Sequence, residues 1–257
     1  MPAAAINYQF NIATSLISTV LRVGVGVSAS PAKVRPEKFL ELYDFEGCPH
    51  CRLVREVLTE LDLDAIIYPC PKRGERFRPR VIATGGKAQF PYLIDPNTGR
   101  EMYESADIIH YLFETYAQTT LPLQWRLVEL QRIGSTLASL PRMGSGTRVR
   151  ASRVPQQHLE LYSFESSPFA RPVRDLLCEL EISYVLRSVG RTTTADWLPP
   201  GLRDTMSIRA QPETINRRAL LERAGRVTVP YLVDPNSATE LGDSAEIIEY
   251  LQHTYAQ

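Results

Sequence analysis

Residues 90–118 read FPYLIDPNTGREMYESADIIHYLFETYAQ, and residues 229–257 read VPYLVDPNSATELGDSAEIIEYLQHTYAQ. Aligned without gaps they share 17 identities in 29 positions, where unrelated chains of average composition share about two. Such agreement marks a duplicated unit. The repeat extends backward, because LELYDF at 40–45 is echoed by LELYSF at 159–164, and RVGVG at 22–26 is answered by RMGSG at 142–146. Each glycine-rich segment follows an apolar, helix-like stretch and precedes the loop into LELY. The offset is 119 near Leu40 and 139 near Pro91, so the second copy carries about 20 extra residues within Thr192–Arg223, Trp197, Pro199 and Pro200 among them.

The chain has 257 residues, enough for two modest domains that need no disulfide staples. Its 29 Lys and Arg residues balance 29 Asp and Glu, so the positive field that draws in nucleic acid is missing. With 44% hydrophobic and 23% charged residues it has the composition of a chain that buries a core. Four cysteines, two of them in CPHC at 48–51, suit redox chemistry in the cytoplasm or another reducing compartment better than a secreted disulfide framework.

Residues 1–36 contain no acid, carry Arg22, Lys33 and Arg35 and are rich in Ser. Two readings stay open: a transit peptide for import into an organelle such as the chloroplast, or a retained amphipathic helix. In the second reading Phe10, Ala13, Leu16, Ile17, Val20 and Leu21 dock on the folded body. The repeat favours the retained helix, with Trp125, Leu127, Leu130, Ile133, Leu137 and Leu140 as its counterpart in the second copy, followed by a solvated loop with Arg148, Arg150 and Arg153. Polar residues interrupt the first stretch too often for a membrane span.

Within each unit the periodicity predicts strand (Leu40–Phe45), helix (Pro49–Leu61), strand (Ala65–Pro69), helix (about Glu75–Thr84), strand (Tyr92–Asp95), strand (Glu101–Tyr103) and helix (Ser105–Tyr116). Pro49 suits a first helical turn, DPNTG at 95–99 a hairpin turn, and Ser105 an N-cap. The expected organisation is residues 1–37, an amphipathic helix and loop; 38–118, the unit with CPHC; 119–157, a helical linker; and 158–257, a unit without those cysteines.

Cys48 falls between the first strand and the following helix, where free N–H groups and the helix dipole favour a thiolate. Cys51, one turn on, is placed to attack a mixed disulfide formed at Cys48. His50 adds positive potential or is merely exposed. A zinc half-site is the alternative for C-x-x-C, but no second pair lies nearby and only Cys70 remains to join it, so no metal site is expected. Cys178, among Leu176, Leu177 and Leu180, reads as a core thiol, and Cys70 as structural rather than as an accessible third thiol. Arg52 and Arg55, echoed by Arg171 and Arg174, read as solvated or paired with the other unit.

Strand, C-P-x-C, helix, a proline before a later strand and an acidic-Ser pair opening the last helix together resemble glutaredoxins and the N-terminal thioredoxin-fold domain of glutathione transferases. The resemblance covers about 80 residues in each half. It implies an α/β fold of two tandem thioredoxin-like βαβαββα units, each led by a helix. It also implies a cis bond at Phe90-Pro91, where the backbone pairs with glutathione. Glu104 and Ser105 would meet its γ-glutamyl ammonium and carboxylate, Lys87 its glycyl carboxylate, and Pro49 and His50 would flank the thiol. Arg226 takes the place of Lys87 in the second unit. There Ser166-Ser167-Pro168-Phe169-Ala170 replaces Gly47-Cys48-Pro49-His50-Cys51, while Val229, Pro230, Asp243 and Ser244 persist. Ser167 matches a serine that holds the glutathione thiolate in some transferases, so a binding role and a degenerate, structural copy both stay open. Many glutaredoxins have a lysine three residues before the first cysteine, where this chain has Phe45 and then Glu46.

The sequence thus points to a thiol–disulfide oxidoreductase, with Cys48 attacking, Cys51 resolving, glutathione as cosubstrate and disulfide or glutathionylated proteins as substrates. Conjugation is disfavoured, because the chain ends straight after the last helix of the second unit and leaves no all-helical domain. Three rivals remain: a glutathione- or peptide-binding protein without turnover, an iron–sulfur or haem carrier, and a peripheral membrane protein using the N-terminal helix.

Overall fold

The computed structural model describes residues 3–21, 25–139, 144–193, 196, 206 and 213–257. The first unit runs β1 (Leu40–Asp44), α2 (Pro49–Glu60), β2 (Ala65–Pro69), α3 (Arg78–Gly85), β3 (Tyr92–Asp95), β4 (Arg100–Met102) and α4 (Ser105–Leu112), the last extended by a π turn over Phe113–Ala117. It is led by α1 (Ala3–Leu21). After α5 (Leu123–Arg126) and α6 (Val128–Ser139) the second unit repeats the order: β5 (Leu159–Ser163), α7 (Ala170–Glu179), β6 (Tyr184–Ser188), α8 (Ile215–Ala224), β7 (Tyr231–Asp234), β8 (Thr239–Leu241) and α9 (Ser244–Tyr255). The βαβαββα reading holds in both copies. Helix α3 starts at Arg78 rather than near Glu75, because the chain before it is drawn toward the second unit, where Glu181 accepts from the Arg76 amide at 3.1 Å. Trp197, Pro199 and Pro200 lie outside the described residues.

The repeated DPN and TYAQ motifs meet in space. The Asp95 carboxylate accepts from the Asn97 amide at 2.8 Å and from the hydroxyls of Tyr111 and Tyr116, and Asp234 does the same with Asn236, Tyr250 and Tyr255. Burial alone would raise both carboxyls, but the hydroxyl donors outweigh it and hold them below their usual range. Each network ties the hairpin turn to the end of the last helix, which accounts for the identity of two distant motifs.

In each unit the central strand pairs in parallel with the second strand and antiparallel with the third, so the helix after the central strand crosses one face. The two four-stranded sheets join edge to edge. Strands β2 and β6 pair antiparallel, Ile66 opposite Val185, giving one eight-stranded sheet in the order β4-β3-β1-β2-β6-β5-β7-β8. Each unit thereby covers the other's exposed edge. The join is reinforced by Arg187, which bridges Asp64 at 3.1 Å and Glu160 at 2.8 Å, and by the Ser188 amide donating to Asp64 at 3.1 Å. One apolar core runs through both units.

Against this shared core the leader helices exchange places. Helix α1 packs on α7 of the second unit and α6 packs on α2 of the first, while α1 and α6 touch each other. The expected docking faces are reversed. Trp125 is buried as expected and donates its indole N–H to Glu60 at 2.8 Å, but Leu127, Leu130, Ile133 and Leu137 face outward, as do Leu16, Ile17 and Val20 on α1. The buried face carries Thr14 and Ser15 on α1 and Ser135 on α6; Thr14 and Ser15 satisfy their hydroxyls on the Asn11 carbonyl of their own helix, while Thr19 and Ser135 donate to the Ser166 and Pro49 carbonyls of the body. No helix of the described residues is long and apolar enough to cross a membrane.

Candidate active site

The turn after β1 delivers Cys48 to the N-cap of α2, with Pro49 opening the helix. The Cys48 sulfur accepts the Cys51 amide at 3.4 Å. A hydrogen bond from the Cys51 thiol is the main influence lowering the Cys48 thiol below its ordinary value; burial opposes it, while the amides of Cys51 and His50 and the Arg55 guanidinium support it. Cys51 moves the opposite way. Fully buried, its thiol is pushed well above the usual range by desolvation and by its bond to Cys48. The two thiols are thus polarised as a pair: an anion-prone one on Cys48, a residue 6% exposed, and a protonated one on the fully buried Cys51. His50 is half-buried beside them.

The second expected wall is also present. Phe90-Pro91 and Val229-Pro230 are cis. Phe90 meets Phe45, three residues before Cys48, edge to face at 6.2 Å, and the Arg78 guanidinium stacks over the Phe90 ring at 4.6 Å. The cis-proline loop and the Cys48 turn are therefore in contact. Lys87 lies exposed, its ammonium 4.6 Å from the ring of Tyr103, whose hydroxyl donates to the Lys87 carbonyl at 2.9 Å.

At the start of α4 the sequence reading needs correction. Glu104, not Ser105, is the N-cap, at φ +64°, and Ser105 is the first helical residue, buried. No side chain caps this helix, because the Glu104 carboxylate turns away to accept from Gln89. In the second unit Asp243 does cap α9, accepting from the amides of Ala245 at 2.8 Å and Glu246 at 3.2 Å. The two copies of one motif thus differ: the first leaves its helical amides open, the second closes them.

The rest of the second corner is closed by the chain itself. Ser167 reproduces the Cys48 geometry, its oxygen accepting the Ala170 amide at 3.2 Å, and is buried more deeply still, at 2% against 6% exposure. Tyr8 of α1 is hydrogen-bonded to Ser244 at 2.6 Å, and Thr19 donates to the Ser166 carbonyl at 2.8 Å. Arg226 is exposed. In the first unit α6 packs on α2, and Ser135 donates to the Pro49 carbonyl at the start of that helix at 2.8 Å.

Beneath both corners lies a buried charge cluster that the sequence reading did not assemble. Arg52, Arg55, Arg171 and Arg174 are fully or almost fully buried. Glu165 of the second unit receives Arg55 at 2.9 Å, Arg171 and Arg174 at 3.0 Å and Arg52 at 3.9 Å. Glu46 of the first receives Arg174 at 2.9 Å and Arg55 at 3.3 Å, and Asp44 also binds Arg55. Of the two open readings, pairing with the other unit is the one observed. Burial would raise the Glu165 carboxyl, but Arg174, Arg55, Arg171 and Arg52 outweigh it and hold it far below its usual range. Asp44, with one guanidinium against complete burial, is pushed up to about 6. The available signal was the repeat itself, since Glu46, Arg52 and Arg55 recur as Glu165, Arg171 and Arg174 at one offset.

Cys70 and Cys178 are buried, the Cys70 thiol pushed well above its usual range by desolvation in keeping with an inert thiol, and Cys178 donating to the Gly146 carbonyl at 3.2 Å. Among the described residues no group of three or more His, Cys, Asp or Glu side chains is placed to hold a metal ion.

A family model described as the N-terminal domain of glutathione S-transferase matches residues 42–120 and again 161–257. No curated protein and no solved structure matches the chain.

Proposed function

The chain belongs to the glutathione S-transferase N-terminal domain family, carried twice over more than half of its length, and from that premise we propose that its first unit is a glutathione-dependent thiol–disulfide oxidoreductase. The observation that carries the reading is the placement of the pair: Cys48 is the N-cap of α2 with its sulfur accepting the Cys51 amide at 3.4 Å, and Cys51 is fully buried one turn on, which lowers the first thiol and raises the second. A thiolate at the amino end of α2 attacks the disulfide of a glutathionylated substrate, forming a Cys48–glutathione bond and releasing the substrate thiolate, which takes up a proton. Cys51 then loses its proton, attacks the Cys48 sulfur, closes a Cys48–Cys51 disulfide and expels glutathione as its thiolate. Two further glutathione molecules return both cysteines to thiols and leave as glutathione disulfide.

Glutathione is read onto the surface between Phe90-Pro91 and the open amides of α4, with Ser105 and those amides taking its γ-glutamyl carboxylate and Glu104 its ammonium. Lys87 is assigned the glycyl carboxylate, and Pro49 and His50 flank the sulfur. The uncapped α4 supports this placement, because the same motif in the second unit is satisfied by Asp243 and Tyr8. Ser167, Val229, Pro230, Asp243 and Ser244 are accordingly read as structural. Cys48, a residue only 6% exposed, favours slender glutathione disulfides over bulky protein loops. The test is reduction of a glutathione mixed disulfide coupled to glutathione reductase: Cys48→Ser abolishes turnover, and undiminished activity overturns the reading.

A further inference from the structure

Strand β1 has a different neighbour on each side of its carboxyl end. On the β3 side lies the cis-proline loop, and on the β2 side the chain runs through Cys70 and Pro71 into Lys72 and Arg73. Residues 145–149, in the loop that leads into the second unit, cross over this β2 side. The Lys72 amide donates to the Thr147 carbonyl at 2.6 Å, and a Cβ on Gly47, next to Cys48, would clash with the Thr147 hydroxyl. A cleft of about 1060 Å³ opens there, lined by Lys72, Arg73, Thr147, Arg148 and Glu179 among others. Glu179 is already tied to the Gly146 amide at 3.0 Å and to Arg150 at 3.6 Å. Among the described residues no carboxylate pairs with the side chains of Lys72, Arg73 or Arg148, all three exposed.

The corner without the CPHC pair makes the same backbone ladder with other side chains. There the Arg191 amide donates to the Val27 carbonyl and the Ala29 amide to the Arg191 carbonyl, both at 2.8 Å. Val27 and Ser28 thus stand where Thr147 and Arg148 stand, and Thr192 follows Arg191 as Arg73 follows Lys72. One cation occupies the positions that hold three beside Cys48, and its guanidinium lies over the Phe164 ring at 5.4 Å. Arg73 also keeps φ +66°, a conformation that glycine adopts freely and a side chain strains. Positive charge accompanies the reactive sulfur. Building on the thiol–disulfide reading, we propose that this cleft binds the leaving half of a glutathione mixed disulfide, a small thiol that carries a phosphate. Glutathione takes the β3 side, which leaves the β2 side, across the Cys48 turn, for the other half. A phosphate monoester carries about −1.5 to −2 charge at neutral pH and three acceptor oxygens, a match for one lysine and two guanidiniums that a lone carboxylate is not. The Cys48 thiolate attacks the glutathionyl sulfur, the bond between the two halves breaks, and the phosphorylated thiolate leaves and takes up a proton.

The glutathione mixed disulfides of pantetheine and of 4′-phosphopantetheine differ by one phosphate and test this in the full chain. The phosphorylated substrate is expected to show a kcat/KM about tenfold higher, through a lower KM, with the gap shrinking as salt screens the exposed cations. Arg73→Gln with Arg148→Gln, both at exposed positions, brings the ratio close to one while far-ultraviolet dichroism stays unchanged. Equal values in the wild type overturn the proposal, and so does a preference that survives the double substitution in a folded chain. Calorimetric binding of the same two disulfides to the Cys48→Ser chain separates the cleft from the chemistry. Tighter binding of the phosphorylated one, lost with the two arginines, supports the cleft; equal binding overturns it, whatever Cys48 does. Absence of turnover on both disulfides, with that binding preference intact, overturns the thiol reading and not the cleft.

Discussion

Glu165→Gln removes one negative charge from beneath the junction of the two units while keeping the side chain's shape. In the wild type that carboxylate takes guanidinium nitrogens at 2.9, 3.0 and 3.0 Å and a fourth at 3.9 Å. After the substitution Arg55 keeps Asp44 and Glu46, Arg174 keeps Glu46 and the Ser163 hydroxyl, and Arg52 keeps Glu56. Arg171 loses its ion pair with a carboxylate. Leaving a buried cation without its partner costs about 3–5 kcal/mol, more than a neutral hydrogen bond returns. Glu46→Gln at the pseudo-equivalent position removes the partner of only two guanidiniums, both of which retain Glu165. Its cost is set at about 1.5–3 kcal/mol, the range for hydrogen bonds to charged groups. Urea unfolding followed by fluorescence of the buried Trp125 reads both values. With a slope of about 3 kcal/mol/M, Glu165→Gln lowers the midpoint by somewhat more than ~1 M. A loss below about 1 kcal/mol for Glu165→Gln, or an equal loss for Glu46→Gln, would refute the cluster as the lock between units.

Three other outcomes follow from the same geometry. Because the folded Glu165 carboxyl titrates far below its unfolded value of about 4.5, its stabilisation is complete above that pH and drains away below it; thermal melts from pH 6 to 3 show an acid loss that Glu165→Gln blunts. Gly146 sits at φ +67°, and a Cβ there meets the Cβ of Glu46 at 2.6 Å and Asp175 Oδ1 at 2.8 Å. Gly146→Ala therefore costs about 2–4 kcal/mol of stability, and an unchanged melting temperature contradicts the packing. Cys51→Ser, treated with glutathione disulfide, accumulates one glutathione per chain at Cys48 by mass spectrometry, and no accumulation argues against Cys51 as the resolving thiol.

The duplication, the βαβαββα order and the redox pair were all readable from the chain, because each rests on local signals: identical hairpin and helix motifs, Pro49 at a helix start, cysteines one turn apart. What escaped lies between the copies. Edge pairing of β2 with β6 leaves no trace, since Ala65–Ile67 and Tyr184–Leu186 would be apolar in any buried strand. Arg52, Arg55, Arg171 and Arg174 read either as solvated, as most arginines are, or as paired with the other unit, and only the opposing Glu165 and Glu46 decide for the second. Periodicity found the apolar stripe of α1 and α6 but not its direction. A stripe points inward when the body beneath is apolar, and here the body offers carbonyls of Pro49 and Ser166 to serine and threonine instead.

The second copy lacks the CPHC pair, yet it remains electrically joined to the first. Arg55 is one of the groups that favour the Cys48 thiolate, and Glu165 shares with Asp44 and Glu46 the neutralising of Arg55, reaching it from across the junction. Removing that charge leaves more of the guanidinium's field to act on the sulfur. Glu165→Gln should therefore move the Cys48 thiol to a lower pKa, raising the thiolate fraction near neutrality, whereas Glu165→Asp, which keeps the charge, should restore the wild-type midpoint. The thiolate's ultraviolet absorbance against pH, in a background of Cys70→Ala and Cys178→Ala, reads the shift directly, at denaturant-free conditions where the variant is folded. A midpoint that stays in place or rises would mean that Arg55 does not reach the sulfur. Tuning by the second unit would then fail, even where the lock between units stands.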